Sequence, residues 1–284
     1  MTRYNRLYDL TGSPDGSGPQ FFDTQDGDTG DPATFDSFRT TAAAPASGTL
    51  TDALYLQEPG DTSAISVADI NQGQIGDCFL LSSIGELALF HPASIISMIH
   101  PNSNGTETVT LHEASNGTLP GFGTTSFASV SVTVTNSFPN NAVNNGANQD
   151  VSGNSKEIWA QVLEKAVATL DGGYNAIANG GSPVLAMEEL TGDPATYMSP
   201  AALTLANLDQ FVAAGDLIAM DTSSAAGLPF NLVSNHAYMF EGVTMQGGVP
   251  MLTLGNPWGT DQPAVIPLSQ LALGIIEVDV CHVA

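Results

Sequence analysis

The run Asp77–Phe90 (DCFLLSSIGELALF) constrains the fold more than any other stretch of the chain. Leu80, Leu81, Ile84, Leu87 and Ala88 cover most faces of a helix, and only Ser82, Ser83 and Glu86 break the apolar surface. A helix that is apolar nearly all round has to be buried on every side. His91-Pro92 ends it, since proline cannot continue the hydrogen-bond ladder, and a short second helix over Ala93–Ile99 is predicted. With 284 residues, 42% of them hydrophobic, the chain can wrap such a helix in one compact domain or in two lobes of a domain.

The remaining patterning divides the chain. Residues 1–49 contain a tract dense in Gly, Pro, Asp and Ser, Thr11–Pro32, which can bury little apolar surface. They read as a loose acidic extension, a linker or a propeptide. Residues 50–284 carry globular patterning. Val109–Leu111 and Ser129–Thr135 read as strands, Asn136–Asn154 as a surface loop, and Lys156–Leu170 as an amphipathic helix stopped by Gly172-Gly173. After Gly180-Gly181 one helix, about Leu203–Ala214, precedes strand-like segments at Leu217–Asp221, His236–Val243, Met251–Leu254 and Ile275–Cys281. Helices in the first half and sheet in the second indicate an α+β fold of two lobes, about 50–181 and 182–284, with a cleft between them.

Charge excludes some partners. The chain has 29 acidic against 5 basic residues, a net charge of -24. Such a surface repels phosphate backbones, so nucleic acid is not an expected partner. No run of eighteen apolar residues occurs, so no membrane span is expected. Met1–Leu10 lacks the apolar segment of a usual signal peptide. Leaderless secretion and a salt-adapted cytoplasm both fit a soluble protein this acidic. The two cysteines, Cys78 and Cys281, are too few for a disulfide framework.

One constellation carries chemistry. Gln72-Gly73-Gln74-Ile75-Gly76-Asp77-Cys78 is a glycine-punctuated turn that places a cysteine at the start of the buried helix. A helix N-terminus favours a thiolate and offers N–H groups to an oxyanion. The acidic protein and adjacent Asp77 act in the opposite sense, raising the thiol pKa. Among five histidines, His91, His100, His112 and His282 read as surface or capping residues, whereas His236 opens a strand-like run after Ser234-Asn235. Asn256, in Leu254-Gly255-Asn256-Pro257-Trp258-Gly259, could accept from one imidazole nitrogen and leave the other facing the thiol. Trp258 could shield that bond from water.

These segments resemble the calpain family of cysteine proteases. Gln72-Gly73-x-x-Gly76-Asp77-Cys78-Phe79-Leu80 is similar to the family's cysteine motif, Asn235-His236-Ala237-Tyr238 to its Gly-His-Ala-Tyr segment, and Gly255-Asn256-Pro257-Trp258-Gly259 to its asparagine motif. Glu157–Ala166, Gly173-Tyr174 and Glu189-Leu190-Thr191-Gly192 resemble the helix and loop between them. The resemblance runs in order over about residues 50–284 and implies a papain-like fold, a bacterial-type minimal protease core. It implies a Cys78–His236–Asn256 triad for peptide-bond hydrolysis, with Gln72 as the oxyanion-hole side chain and a lobe boundary near Gly180–Ser182. An inactive cleft-bearing binding module and an amidase or acyl-transferase on the same triad are the competing readings.

The resemblance also implies calcium. The family's first-lobe positions are Asp69, three residues before the glutamine, and Glu157, at the start of the Trp-containing helix. Oxygen ligands suit calcium; the competing reading is a loop cap and a helix N-terminal charge. The second-lobe stretch Thr260–Ala264 holds a single acid, Asp261, so at most one family-type calcium site is expected. No organic cofactor is expected. The expected partner is a polypeptide substrate, and the expected state is a monomer without membrane attachment.

Overall fold

A computed structural model of the chain describes residues 48–49, 53–57, 63–115, 126–143, 157–259 and 264–283. The acidic extension, apart from residues 48–49, and the stretch Thr260–Pro263 lie outside the described residues. The architecture is α+β. Helix α1 (Cys78–Phe90) is the buried helix expected from the sequence, with every residue from Cys78 to Ala88 buried. It is followed by α2 (Pro92–Met98), α3 (Trp159–Asp171), α4 (Pro183–Thr191) and α5 (Leu205–Ala214). A three-stranded antiparallel sheet joins β1 (Ile99–Pro101), β2 (Thr106–Ala114) and β3 (Phe127–Thr135) in that order.

A six-stranded antiparallel sheet holds the second half of the chain. Its strands are β4 (Ala195–Met198), β5 (Leu217–Thr222), β6 (Ala237–Gln246), β7 (Val249–Gly255), β8 (Ala264–Pro267) and β9 (Ile275–Cys281). Their order across the sheet is β8-β7-β6-β5-β9-β4. Both faces of β5 are covered, and side chains alternate between them. Leu217 and Ala219 join the core around α1, while Ile218 and Met220 join a second core with Phe240, Leu252, Leu254 and Val280. A fully covered strand reads as the continuous apolar run that marked it in the sequence.

Several elements differ from expectation. Helix α3 starts at Trp159, leaving Glu157 outside the helix in an isolated bridge with Ala53. Part of the supposed surface loop Asn136–Asn154 is core: Ala142 and Val143 are buried, and the Val143 N–H donates to Glu164. Helix α4 was not anticipated. It begins with Pro183 at its first position, where a missing N–H costs nothing, and its Val184, Ala186, Met187 and Leu190 enter the core around α1. The edge strands β4 and β8, each paired on one side, were also not anticipated.

Helix α1 lies across β5 and β6. At Gly85 a Cβ would run into the Met239 sulfur on β6, so glycine lets the helix approach without displacing that side chain. At the next residue the buried Glu86 carboxylate accepts from the Ile218 N–H of β5 (2.9 Å) and the Phe240 N–H of β6 (2.5 Å). Burial pushes the Glu86 carboxyl well above its usual range, and these two N–H donors act against that. Glu86→Ala strands two buried N–H groups, each costing about 1–3 kcal/mol. Urea unfolding should show a loss of about 3 kcal/mol, against a change within about 0.5 kcal/mol for exposed Asp209→Ala. Equal effects of the two substitutions would contradict the clamp.

Candidate active site

The site assembles where α1 begins and β6 begins. Asp77 precedes α1, and its carbonyl accepts from the Leu80 and Leu81 N–H groups (2.9 and 3.0 Å). Cys78 is the first helical residue and is 9% exposed. The motif glycine Gly73 is held by close approach: a Cβ there would overlap the Asn141 and Ala142 carbonyls. The Cys78 sulfur lies against the Ala237 and Phe79 N–H groups. Ala237 follows His236 directly, so helix start and strand start meet at the sulfur. Burial pushes the Cys78 thiol up to about 12, the charges of Asp221 and Asp77 push the same way, and the two N–H groups oppose them.

His236 is fixed by its backbone and its ring. Its N–H donates to the Thr222 hydroxyl oxygen (2.9 Å), and that hydroxyl donates to the Val233 carbonyl (2.7 Å). Preceding it, Asn235 has φ 51°, in the left-handed region that Asn tolerates better than most residues and glycine tolerates freely. This explains how Asn can stand where the resembling motif has Gly. The His236 ring packs edge-on to Tyr238, with centroids 5.0 Å apart, and tilted on Trp258 at 4.8 Å.

The asparagine sets the tautomer. Asn256 Oδ1 lies 2.7 Å from His236 Nε2 and also accepts from the Trp258 N–H at 3.0 Å. A backbone N–H can only donate, so the atom it meets is the amide oxygen. Nε2 facing the same oxygen must then carry a proton, which leaves Nδ1 as the basic nitrogen of the neutral ring. Burial lowers the His236 pKa to about 4, with the Asn256 bond partly offsetting it.

Gln72 is anchored to the same region, its N–H donating to the Pro257 carbonyl at 2.7 Å. Its amide nitrogen donates to the Ile75 carbonyl (2.7 Å) and to Asp77 Oδ1 (3.3 Å). Both amide protons are therefore engaged within the turn. Behind it, burial raises the Asp77 carboxyl to about 7 and the neighbouring Glu164 carboxyl well above its usual range. Cys281 is buried on β9, as expected of a small hydrophobe, with its sulfur near the Thr191 hydroxyl.

The profile of the calpain family cysteine protease matches residues 58–263, well over half of the chain. This chain belongs to the calpain family.

Calpain clp-4 of Caenorhabditis elegans is 28% identical over 233 residues, covering 74% of this chain and 31% of that protein. Human Calpain-9 is 36% identical over 121 residues, 38% of this chain and 17% of that protein. Calpain-A of Drosophila melanogaster is 28% identical over 211 residues, 68% of this chain and 24% of that protein. The chain thus spans under a third of the length of these relatives.

Asp69 and Glu157 are buried and already bonded. Asp69 Oδ2 accepts from the Ser66 N–H (2.8 Å), closing a 3-10 turn over Val67–Asp69, and from the Trp159 indole N–H (3.0 Å). Glu157 Oε2 accepts from the Leu56 N–H at 3.0 Å. Neither belongs to a group of three candidate ligand side chains among the described residues. The two carboxylates alone therefore do not make a calcium site; backbone carbonyls would have to complete it.

Sequence reasoning missed Glu86 and Thr222, which position the site from outside it. A lone acid in an all-round apolar helix was the signal for Glu86. The tautomer gives a direct check: long-range 1H–15N spectra at pH 7 should show His236 protonated at Nε2, with the ring titrating near 4. A proton on Nδ1, or titration near the ordinary value of about 6.5, would contradict the arrangement.

Proposed function

We propose that this calpain-family chain is a cysteine endopeptidase with Cys78 as nucleophile, His236 as base and Asn256 as orienter. The observation carrying the reading is the doubly hydrogen-bonded Asn256 oxygen, which leaves Nδ1 of His236 bare at the helix start that holds Cys78. Thiol and imidazole are both neutral near pH 7, given a thiol at about 12 and an imidazole at about 4. Nδ1 then takes the thiol proton as sulfur attacks the peptide carbonyl. The oxyanion forms at the α1 N-terminus, where the Cys78 N–H lies ahead of the helical ladder. Gln72 assists by exchanging its longer bond, to Asp77, for the oxyanion. The imidazolium returns the proton to the leaving amine, leaving a thioester; water, deprotonated by Nδ1, releases the acid and restores the thiol. Trp258 covers the His236 ring and keeps water from its Asn256 bond.

Calcium modulation through Asp69 and Glu157 is a further part of the reading. It is supported by two fully buried carboxylates, one bonded to the Trp159 indole and the other two residues before it in sequence. Polypeptide is the substrate class, and the monomer is the expected form.

A thiol-directed epoxide and casein test the reading together. Labelling at Cys78, with casein cleavage abolished in Cys78→Ala, is expected. Labelling without cleavage would favour an amidase or acyl-transferase, and neither would indicate a binding module. On a peptide substrate, kcat/KM should fall as pH drops through about 4, because a protonated Nδ1 cannot accept the thiol proton. An acid limb near about 6.5 would contradict the buried neutral base. A chelator-insensitive rate would remove the calcium part.

A further inference from the structure

A second cluster of chemistry lies behind the site, on the sheet. Asp221 is the penultimate residue of β5, directly across from Ala237 of β6 and Glu277 of β9. Asp279 stands two residues beyond Glu277, opposite Ala219. By strand alternation these acids share the sheet face of Leu217, Ala219 and Cys281, which packs into the core around α1. One carboxylate oxygen from each can be chosen so that all lie within 4.8 Å of one another. That is the widest separation two oxygens can have on one ion with bonds of about 2.4 Å, the calcium range.

The cluster lacks what a buried set of acids requires. Asp279 is 0% exposed, yet no N–H or hydroxyl donor meets its carboxylate oxygens: its side-chain partner is the Glu277 carboxyl, another acid, and buried Asp221 Oδ1 has no partner. A hydroxyl or N–H donor normally meets such atoms, and a buried charge is normally paired. Among the described residues the only lysine or arginine is Lys165. Its ammonium is engaged in the first lobe, by the Thr135 and Ser137 carbonyls and the Thr135 hydroxyl. Partly exposed Glu277 opens the cluster to solvent.

We propose that Asp221, Glu277 and Asp279 form a binding site for a divalent cation of the calcium class, one residue in strand register from His236. An all-oxygen, carboxylate-rich set selects a hard cation over zinc or copper. The residues are distinct from Asp69 and Glu157, and the binding requires no peptidase activity. Its position gives it reach to the cleft, since the Asp221 charge already acts on the Cys78 thiol.

Calorimetric titration of the full chain with calcium chloride, with thermal unfolding in calcium and in chelator, tests the proposal. Wild type should bind calcium, and its unfolding midpoint should rise by about 5 °C at ~100-fold over Kd. Asp279→Asn should lose one bound calcium and this rise, yet unfold in chelator at or above the wild-type temperature, because one of three crowded charges is gone. Glu277→Gln, at a partly exposed position, should lose the same binding event, whereas Asp69→Asn should keep it. No calcium binding by wild type would overturn the proposal and leave protons as what neutralises the cluster. Unchanged stoichiometry in both Asp279→Asn and Glu277→Gln would overturn it by placing the ion elsewhere.

Discussion

The rest of the structure depends on the Glu86 clamp. An apolar helix buried on all sides has no directional preference of its own, because hydrophobic burial fixes contact and not register. The two N–H donors of β5 and β6 meeting one carboxylate supply that register. With α1 held there and Gly85 allowing close approach, the first helical residue falls beside the first residues of β6. Cys78 and His236, far apart in sequence, are thus brought together by a contact two turns down the helix from the thiol.

The electrostatics of the site run against the protein's composition. Burial above all, with Asp221 and Asp77 acting in the same sense, holds the Cys78 thiol protonated. Burial similarly holds His236 neutral. The proposed chemistry then requires a correctly oriented neutral base more than a standing ion pair, and Asn256 would provide the orientation through an oxygen whose identity the Trp258 N–H fixes. The left-handed Asn235 and the Thr222 hydroxyl do the same for the backbone of His236.

Much of this was legible in the sequence, for identifiable reasons. Helix α1 and strand β5 are covered on both sides, so their runs are apolar and long enough to read. Cys78, His236, Asn256 and Trp258 sit in motifs whose glycines and turn residues mark them. Helix α4 was hidden because Ser182-Pro183 reads equally as a loop and as a helix start, and Gly192 as a break or a cap. Strands β4 and β8 are short edges with one partner each and carry little periodicity. Ala142-Val143 lies in a run of Asn and Gly whose burial comes from a partner, Glu164, distant in sequence. Gln72 was legible as a member of the motif, but the direction of its amide protons, toward Ile75 and Asp77, is a tertiary fact. Glu277 and Asp279 fall in phase with buried Cys281 on one strand face, a pattern visible only once that face is known to be covered.

The central claim is that the start of α1 and the start of β6 form one reaction centre. A crystal structure of the chain with a peptidyl aldehyde tests it most directly. A thiohemiacetal on Cys78 Sγ is expected, with His236 Nδ1 turned to the adduct and Nε2 still on Asn256 Oδ1. An adduct on Cys281, or an imidazole facing away from Cys78, would contradict it.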